Sequence, residues 1–138
     1  MSYLPLRLLP GVDLRRTLEQ EATAAFGGSA FVVAGIGSLS SVSIRLAGSE
    51  TETQLSGPFE IISISGSLAS NGVHLHMSVA NAAGQVLGGH VCYGNVVRTT
   101  AEVLLVGVEG WSLSREHDPA TGYQELQVKR SGSGESAA

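Results

Sequence analysis

Gly72-Val73-His74-Leu75-His76-Met77-Ser78-Val79-Ala80-Asn81-Ala82-Ala83-Gly84-Gln85-Val86-Leu87-Gly88-Gly89-His90-Val91-Cys92-Tyr93 holds three of the four histidines of the chain and its one cysteine. Val73, Leu75, Met77 and Val79 alternate with His74, His76 and Ser78, the period-2 pattern of a strand with one buried face. Asn81-Ala82-Ala83-Gly84 then puts Asn at the first and Gly at the fourth position of a type I turn, and Gly suits the left-handed residue of the bulge that follows. The pattern predicts a β-hairpin.

The loop length sets which side chains meet. With Ala82, Ala83 and Gly84 as a three-residue loop, Asn81 faces Gln85, His76 faces His90 and His74 faces Cys92, all four of the latter on the polar face. Val73, Leu75, Met77 and Val79 share the other face with Leu87, Val91 and Tyr93. A two-residue loop would move His90 to the apolar face. Residues two apart on a strand lie ~6.7 Å apart and facing residues ~5 Å apart, so imidazoles from these positions can converge on one metal ion. Histidines on an exposed strand face can equally be plain polar surface.

Outside the hairpin, 138 residues with 43% hydrophobic and 14% charged content and 18 glycines describe one compact, turn-rich domain. Eight Lys and Arg against twelve Asp and Glu leave a net charge of -4, which argues against autonomous nucleic-acid binding, since that needs a clustered basic excess. One cysteine excludes an intrachain disulfide framework. The first ten residues are interrupted by Pro5, Arg7 and Pro10 and do not read as a secretory leader, and no apolar run approaches membrane-spanning length. The expected location is the cytoplasm.

In chain order, Tyr3 to Leu9 reads as a short strand ended by Pro10-Gly11, and Asp13 as the N-cap of a helix running to about Phe26. Leu14, Leu18, Ala22, Ala25 and Phe26 fall on one helical side and Arg15, Arg16, Glu19, Gln20 and Thr23 on the other. Ala30–Ala34 and Val42–Leu46 are strand candidates, separated by Gly35-Ile36-Gly37-Ser38-Leu39-Ser40. That segment lacks the third glycine and the following helix of a dinucleotide loop, so it is read as a tight strand connection. Thr51–Leu55, Phe59–Leu68 and Val96–Val108 make further strands, with Arg98, Thr100 and Glu102 on one face of the last. Trp111–Glu116 and Tyr123–Lys129 flank Asp118-Pro119-Ala120-Thr121-Gly122 as a terminal hairpin. Residues 131–138 are small and polar and are expected to form a disordered tail after a single domain over 1–130. One early helix followed by adjacent strands predicts an α+β fold, mainly an antiparallel sheet of about seven or more strands with one flanking helix.

Several ordered motifs carry a resemblance. The helix followed by Gly27-Gly28, then Gly35-Ile36-Gly37-Ser38-Leu39, Gly57-Pro58-Phe59-Glu60-Ile61-Ile62, Gly72-Val73-His74-Leu75-His76, Gly88-Gly89-His90 and Arg98-Thr99-Thr100-Ala101-Glu102-Val103 resemble, over about residues 4–130, the plant and prokaryote conserved (PPC) domain, also described as a PD1-like DNA-binding motif. The resemblance implies a central antiparallel sheet, a single helix and a homotrimer. It also implies a transcription-associated regulatory module that meets DNA or DNA-bound proteins. In plant members a Gly-Arg-Phe-Glu-Ile-Leu segment contacts partners; here the match is Gly57, Phe59, Glu60 and Ile61, with Pro58 in place of Arg. No Arg-Gly-Arg-Pro hook is present for minor-groove insertion.

In bacterial and archaeal relatives a His-X-His pair with a later Gly-Gly-His is similar to a zinc site. That implies metal binding by His74, His76 and His90, with copper, nickel and iron as other metals that suit imidazole. Three protein ligands leave a fourth position for water, a substrate oxygen, Cys92 or a carboxylate. Glu102 is read as an orienting acceptor for a ligand histidine or as a proton acceptor, and Arg98 as its same-face partner, the plain alternative being two surface charges. Three functions follow: a trimeric regulatory module with a metal site, a small zinc-dependent enzyme of hydrolase type using the open position, and a trimer whose metal only braces the sheet.

Overall fold

The computed structural model describes residues 2–132. Strand β1 (Ser2–Leu8) leads through Pro10-Gly11 to helix α1 (Leu14–Phe26), and seven further strands follow: β2 (Ala30–Arg45), β3 (Thr53–Ala69), β4 (Gly72–Asn81), β5 (Val86–Val91), β6 (Val96–Gly107), β7 (Trp111–Asp118) and β8 (Tyr123–Arg130). The expected α+β class holds, with one helix and eight strands among the described residues. The residues of the expected tail from 133 onward lie outside the described ones. Ser131 is tied down, its N–H donating to the Gly110 carbonyl at 2.9 Å.

Helix α1 begins where expected. The Asp13 side chain accepts from the Arg16 N–H, and Gly27 closes the last turn in the left-handed conformation. Leu14, Leu18 and Ala22 are buried at helical spacing and carry the helix onto the sheet.

Two separately predicted pairs of short strands are each one long strand. Gly35 to Ser40 is not a connection: it runs straight through as the middle of β2, whose register against β6 shifts at Val32/Ala34, Gly37/Leu39 and Leu39/Ser41. Gly35 and Gly37 lie between these shifts, where a Cβ would collide with Ile64 and Ala101, so they mark close packing inside a continuous strand rather than its end. Likewise Thr51–Leu55 and Phe59–Leu68 are merged in β3.

Six strands form an antiparallel sheet in the order β1-β6-β2-β3-β4-β5, and β7 and β8 form a separate ribbon. The bend of β2 allows its far end to pair with β5 as well, Ile44 opposite Val91 and Arg45 opposite His90. Strands β2, β3, β4 and β5 therefore close on themselves at one end of the molecule. Leu39, Val42, Ile44, Phe59, Ile61, Leu75, Met77, Val79 and Val91 fill the inside of that end.

The β4–β5 hairpin has the predicted turn. Asn81 donates its N–H to the Gln85 carbonyl at 3.0 Å, its Oδ1 accepts from the N–H groups of Ala83 and Gln85, and Gly84 sits at φ +78°. His76 faces His90, as the three-residue loop requires.

Candidate metal centre

Strands β4 and β5 present His74, His76 and His90 on the outer face of the closed end, opposite the buried Leu75, Met77 and Val79. One ligand atom from each ring lies within 4.8 Å of the others. The Nε2 atoms of His74 and His76 are 3.0 Å apart, close enough for one N–H to donate to the other's lone pair. The rings of His74 and His90 stack at 5.4 Å, and that of His76 stands edge-on to both. Gly66 of β3 makes this arrangement reachable: a Cβ there would collide with the His74 carbonyl, so only glycine lets β3 lie this close to β4.

The surroundings of His74 and His90 favour neutral imidazole, the form that binds metals. His74 is lowered from its ordinary value by partial desolvation and then by the neighbouring His76 and Arg115, against a smaller opposing pull from Glu125. His90 is lowered by desolvation and then by Arg45, His76 and His74. The donor set of three converging imidazole nitrogens fits a borderline transition metal such as zinc.

Cys92 does not join them. The chain leaves β4 after His90, Val91 pairs with Ile44 of β2, and the Cys92 N–H donates to the Ser43 carbonyl of β2 at 3.1 Å. Its thiol is buried and raised by desolvation and by Glu52, the reverse of what a thiolate ligand needs. The expected pairing of His74 with Cys92 therefore fails, because β5 switches partner from β4 to β2 before reaching it. Tyr93 also leaves the apolar face: it is exposed, with its hydroxyl donating to the Glu19 carboxylate at 2.8 Å.

Glu102 and Arg98 lie on β6, separated from β4 by both β2 and β3. Glu102 faces Arg7 of β1 and Ile36 of β2 and, with Arg98 and Ile62, lines a shallow cleft rather than the histidine face. The segment with Gly57, Phe59, Glu60 and Ile61 lies in β3. Phe59 and Ile61 point into the core at 6% and 3% exposure, leaving Glu60 and the following Ile62 outside. Their alternation along β3 decides this.

Two residues beside the histidines were not singled out from sequence. Arg45 faces His90 across the β2–β5 pairing, which is long-range and has no local signal. Arg115 occupies the buried phase of β7, alternating with Leu113, and this is the signal that marks it: a charge in a position the pattern reserves for an apolar residue. The remaining histidine, His117, is exposed on β7.

An antiparallel α+β domain with a histidine triad on its outer sheet face defines a class of small, metal-competent domain. The chain belongs to the Plants and Prokaryotes Conserved (PCC) domain family, whose family model matches residues 1–109. Two curated relatives, each called bifunctional protein GlmU and both from Synechococcus strains, are 45% and 46% identical over 94% of this chain. The chain spans about a fifth of the length of these relatives (21% and 20%). Among solved structures, a hypothetical protein from Salmonella cholerae-suis is 36% identical with a TM-score of 0.90, over 94% of both chains. The metal-containing protein AF0104 from Archaeoglobus fulgidus is 28% identical with a TM-score of 0.78, over 91% of this chain and 92% of its own. A protein from Bacteroides thetaiotaomicron described as a candidate DNA-binding protein shares the fold at 17% identity, with a TM-score of 0.80 over 90% of each chain.

Proposed function

We propose that the chain is a homotrimeric PPC-domain regulatory module of the cytoplasm that carries one zinc ion per chain on His74, His76 and His90. The observation that carries the reading is the convergence of three ring nitrogens within 4.8 Å on an exposed strand face. The archaeal relative described as metal-containing supports it. When bound, zinc supplies a Lewis-acidic centre with an open position; the residues of the chain supply three neutral donors held on two adjacent strands.

Self-association is supported by the outer face of β2 and β3, where Phe31, Val33, Ile36 and Ile62 are exposed while their strand neighbours Ala30, Val32 and Ile61 are buried. Isolated exposed apolar residues are ordinary, but a cluster on one sheet face fits a contact surface. No helix among the described residues is long and apolar enough to cross a membrane. The reduced, unpaired Cys92 agrees with a reducing compartment.

For DNA, the description of the Bacteroides protein supports a role near nucleic acid, whereas the net charge of -4 supports contact through a partner protein rather than with the duplex. In the Synechococcus relatives the matching stretch is one fifth of a longer chain, which supports an accessory module working beside another unit. The second reading, a small hydrolase-type zinc enzyme, is favoured by one observation: His74 and His76 are exposed, so a metal held there would be reachable by water or a substrate from solvent.

The test is elemental analysis of protein purified without an affinity tag, combined with native mass spectrometry. One zinc per chain in a particle of three chains is expected. A metal-free monomer that takes up no added zinc would overturn the proposal.

A further inference from the structure

The cationic groups around the triad are not accounted for by metal binding. Three imidazoles and a divalent ion already make a positive centre, and the usual outer partners of ligand histidines are acceptors such as carboxylates, backbone carbonyls or water. The side chains here run the other way. On the His90 side Arg45 is the direct cross-strand partner, so both leave the sheet on the same face, and its Nη1 donates to the Ser49 carbonyl at 3.0 Å. On the His74 side Ser67 is the cross-strand partner, and its hydroxyl accepts from Arg115 Nη2 at 2.6 Å.

Arg115 is the sharper observation. It is 9% exposed, its stem packs against Gly72 at the start of β4, and its Nε has no hydrogen-bond partner. Burying a guanidinium with an unfilled donor is costly unless an anion completes it. Neither Arg45 nor Arg115 forms an ion pair among the described residues; the ion pairs found are Arg15–Glu19 and Lys129–Glu116. The carboxylate on the neighbouring ribbon, Glu125, accepts from the Thr121 hydroxyl at 3.0 Å instead of pairing with Arg115. In a chain of net charge -4, this face concentrates positive charge that Glu125, acting on both His74 and Arg115, offsets only in part.

We propose that the histidine centre binds an oxyanion, the carboxylate or phosphate group of a small molecule, with one oxygen at the open metal position and the others held by Arg45 from the His90 side and Arg115 from the His74 side. The inference rests on the metal reading above and goes further, naming the chemical class of what the open position takes. Guanidinium is the side chain suited to it, because its planar fork matches both anions. The step is a ligand exchange with no bond to carbon or phosphorus made or broken.

The full chain is loaded with cobalt(II), its cobalt content is measured, and the visible absorption of the bound ion is then followed while sodium orthophosphate, sodium malonate or sodium chloride is added. A saturable spectral change with phosphate or malonate, absent with chloride at equal ionic strength, is expected. Response to phosphate alone or to malonate alone identifies the preferred oxyanion. Arg45→Gln, at a half-exposed position, is expected to weaken that response at least tenfold at unchanged cobalt content, and Arg115→Met to weaken it further if the variant folds. Full cobalt loading with no oxyanion response, or a response that Arg45→Gln leaves untouched, overturns the inference while the metal reading stands. Failure to load cobalt overturns both, and the metal assay detects that before any anion is added.

Discussion

Two polar clusters sit within a few residues of one another in sequence and differ in every physical respect. Around Asn95, which has no exposed surface, Oδ1 accepts from the Ser43 N–H and Nδ2 donates to the carbonyls of Ser43 and Cys92, each at 2.8 Å. The Asn95 carbonyl accepts from Leu14 N–H, and the neighbouring Gly94 N–H donates to the helix cap Asp13. Every buried side-chain donor there meets an acceptor. At His74, His76 and His90, ring nitrogens crowd together on an open face and meet mainly one another. A closed network joins helix, β2 and the 92–95 loop, and its product is structure. A set of converging lone pairs on an open face is an arrangement that one cation could satisfy together, as proposed above.

The comparison breaks most easily at its structural half. Asn95→Ala strands the buried Ser43 N–H and two carbonyls, and each orphaned group costs about 1–3 kcal/mol. A loss of about 3 kcal/mol or more is expected in urea denaturation, whereas a loss below about 1 kcal/mol would mean that water or a rearranged loop replaces the amide. Next, His76→Ala is expected to weaken zinc affinity by ~100-fold or more, equivalent to about 2.7 kcal/mol, as read by competition with a chromophoric chelator. The same variant should leave metal-free stability within about 0.5 kcal/mol, because the ring is exposed. Equal damage to the metal-free fold would move the triad into the structural class.

Cys92→Ala sharpens the boundary between the clusters, since the Cys92 carbonyl joins the Asn95 network while its thiol reaches the backbone carbonyl of His90, at 3.7 Å, and none of the three rings. Its expected signature is a stability loss of about 1 kcal/mol with unchanged zinc content; lost zinc would return the thiol to the ligand set. The smallest effect concerns pH. His74 and His90 are lowered in the folded chain, so the unfolded chain takes up protons more readily. Metal-free stability is therefore full above the ordinary imidazole range and declines as pH falls through it toward the lowered folded values. Replacing both rings with Gln should flatten that decline in thermal melts from pH 7 to pH 5; an unchanged slope would assign it to the carboxylates.

What could be read from the sequence divides along the same line. The hairpin was legible because a four-residue turn and a period of two fix it locally, so the facing of His76 and His90 followed without any knowledge of the rest. The helix from Asp13 was legible for the same reason. The closure of β2 on β5 was not, because Gly35 and Gly37 imitate a strand end while lying inside a strand that continues to Arg45. With that closure hidden, Arg45 could not be placed beside His90, nor Cys92 withdrawn from His74. Glu102 resembled a partner of the hairpin only while the strand order was open; two intervening strands remove it. Arg115 left a trace, a charge in the buried phase of its strand, whose meaning depends on the ribbon folding over Ser67.

The central claim is that the three histidines, and no sulfur, hold the metal. X-ray absorption at the zinc edge of the loaded protein measures this directly. The account predicts a first shell of nitrogen and oxygen at about 2.0–2.1 Å with the outer-shell pattern of three imidazoles. A sulfur scatterer at about 2.3 Å, or fewer than three imidazoles, would contradict it.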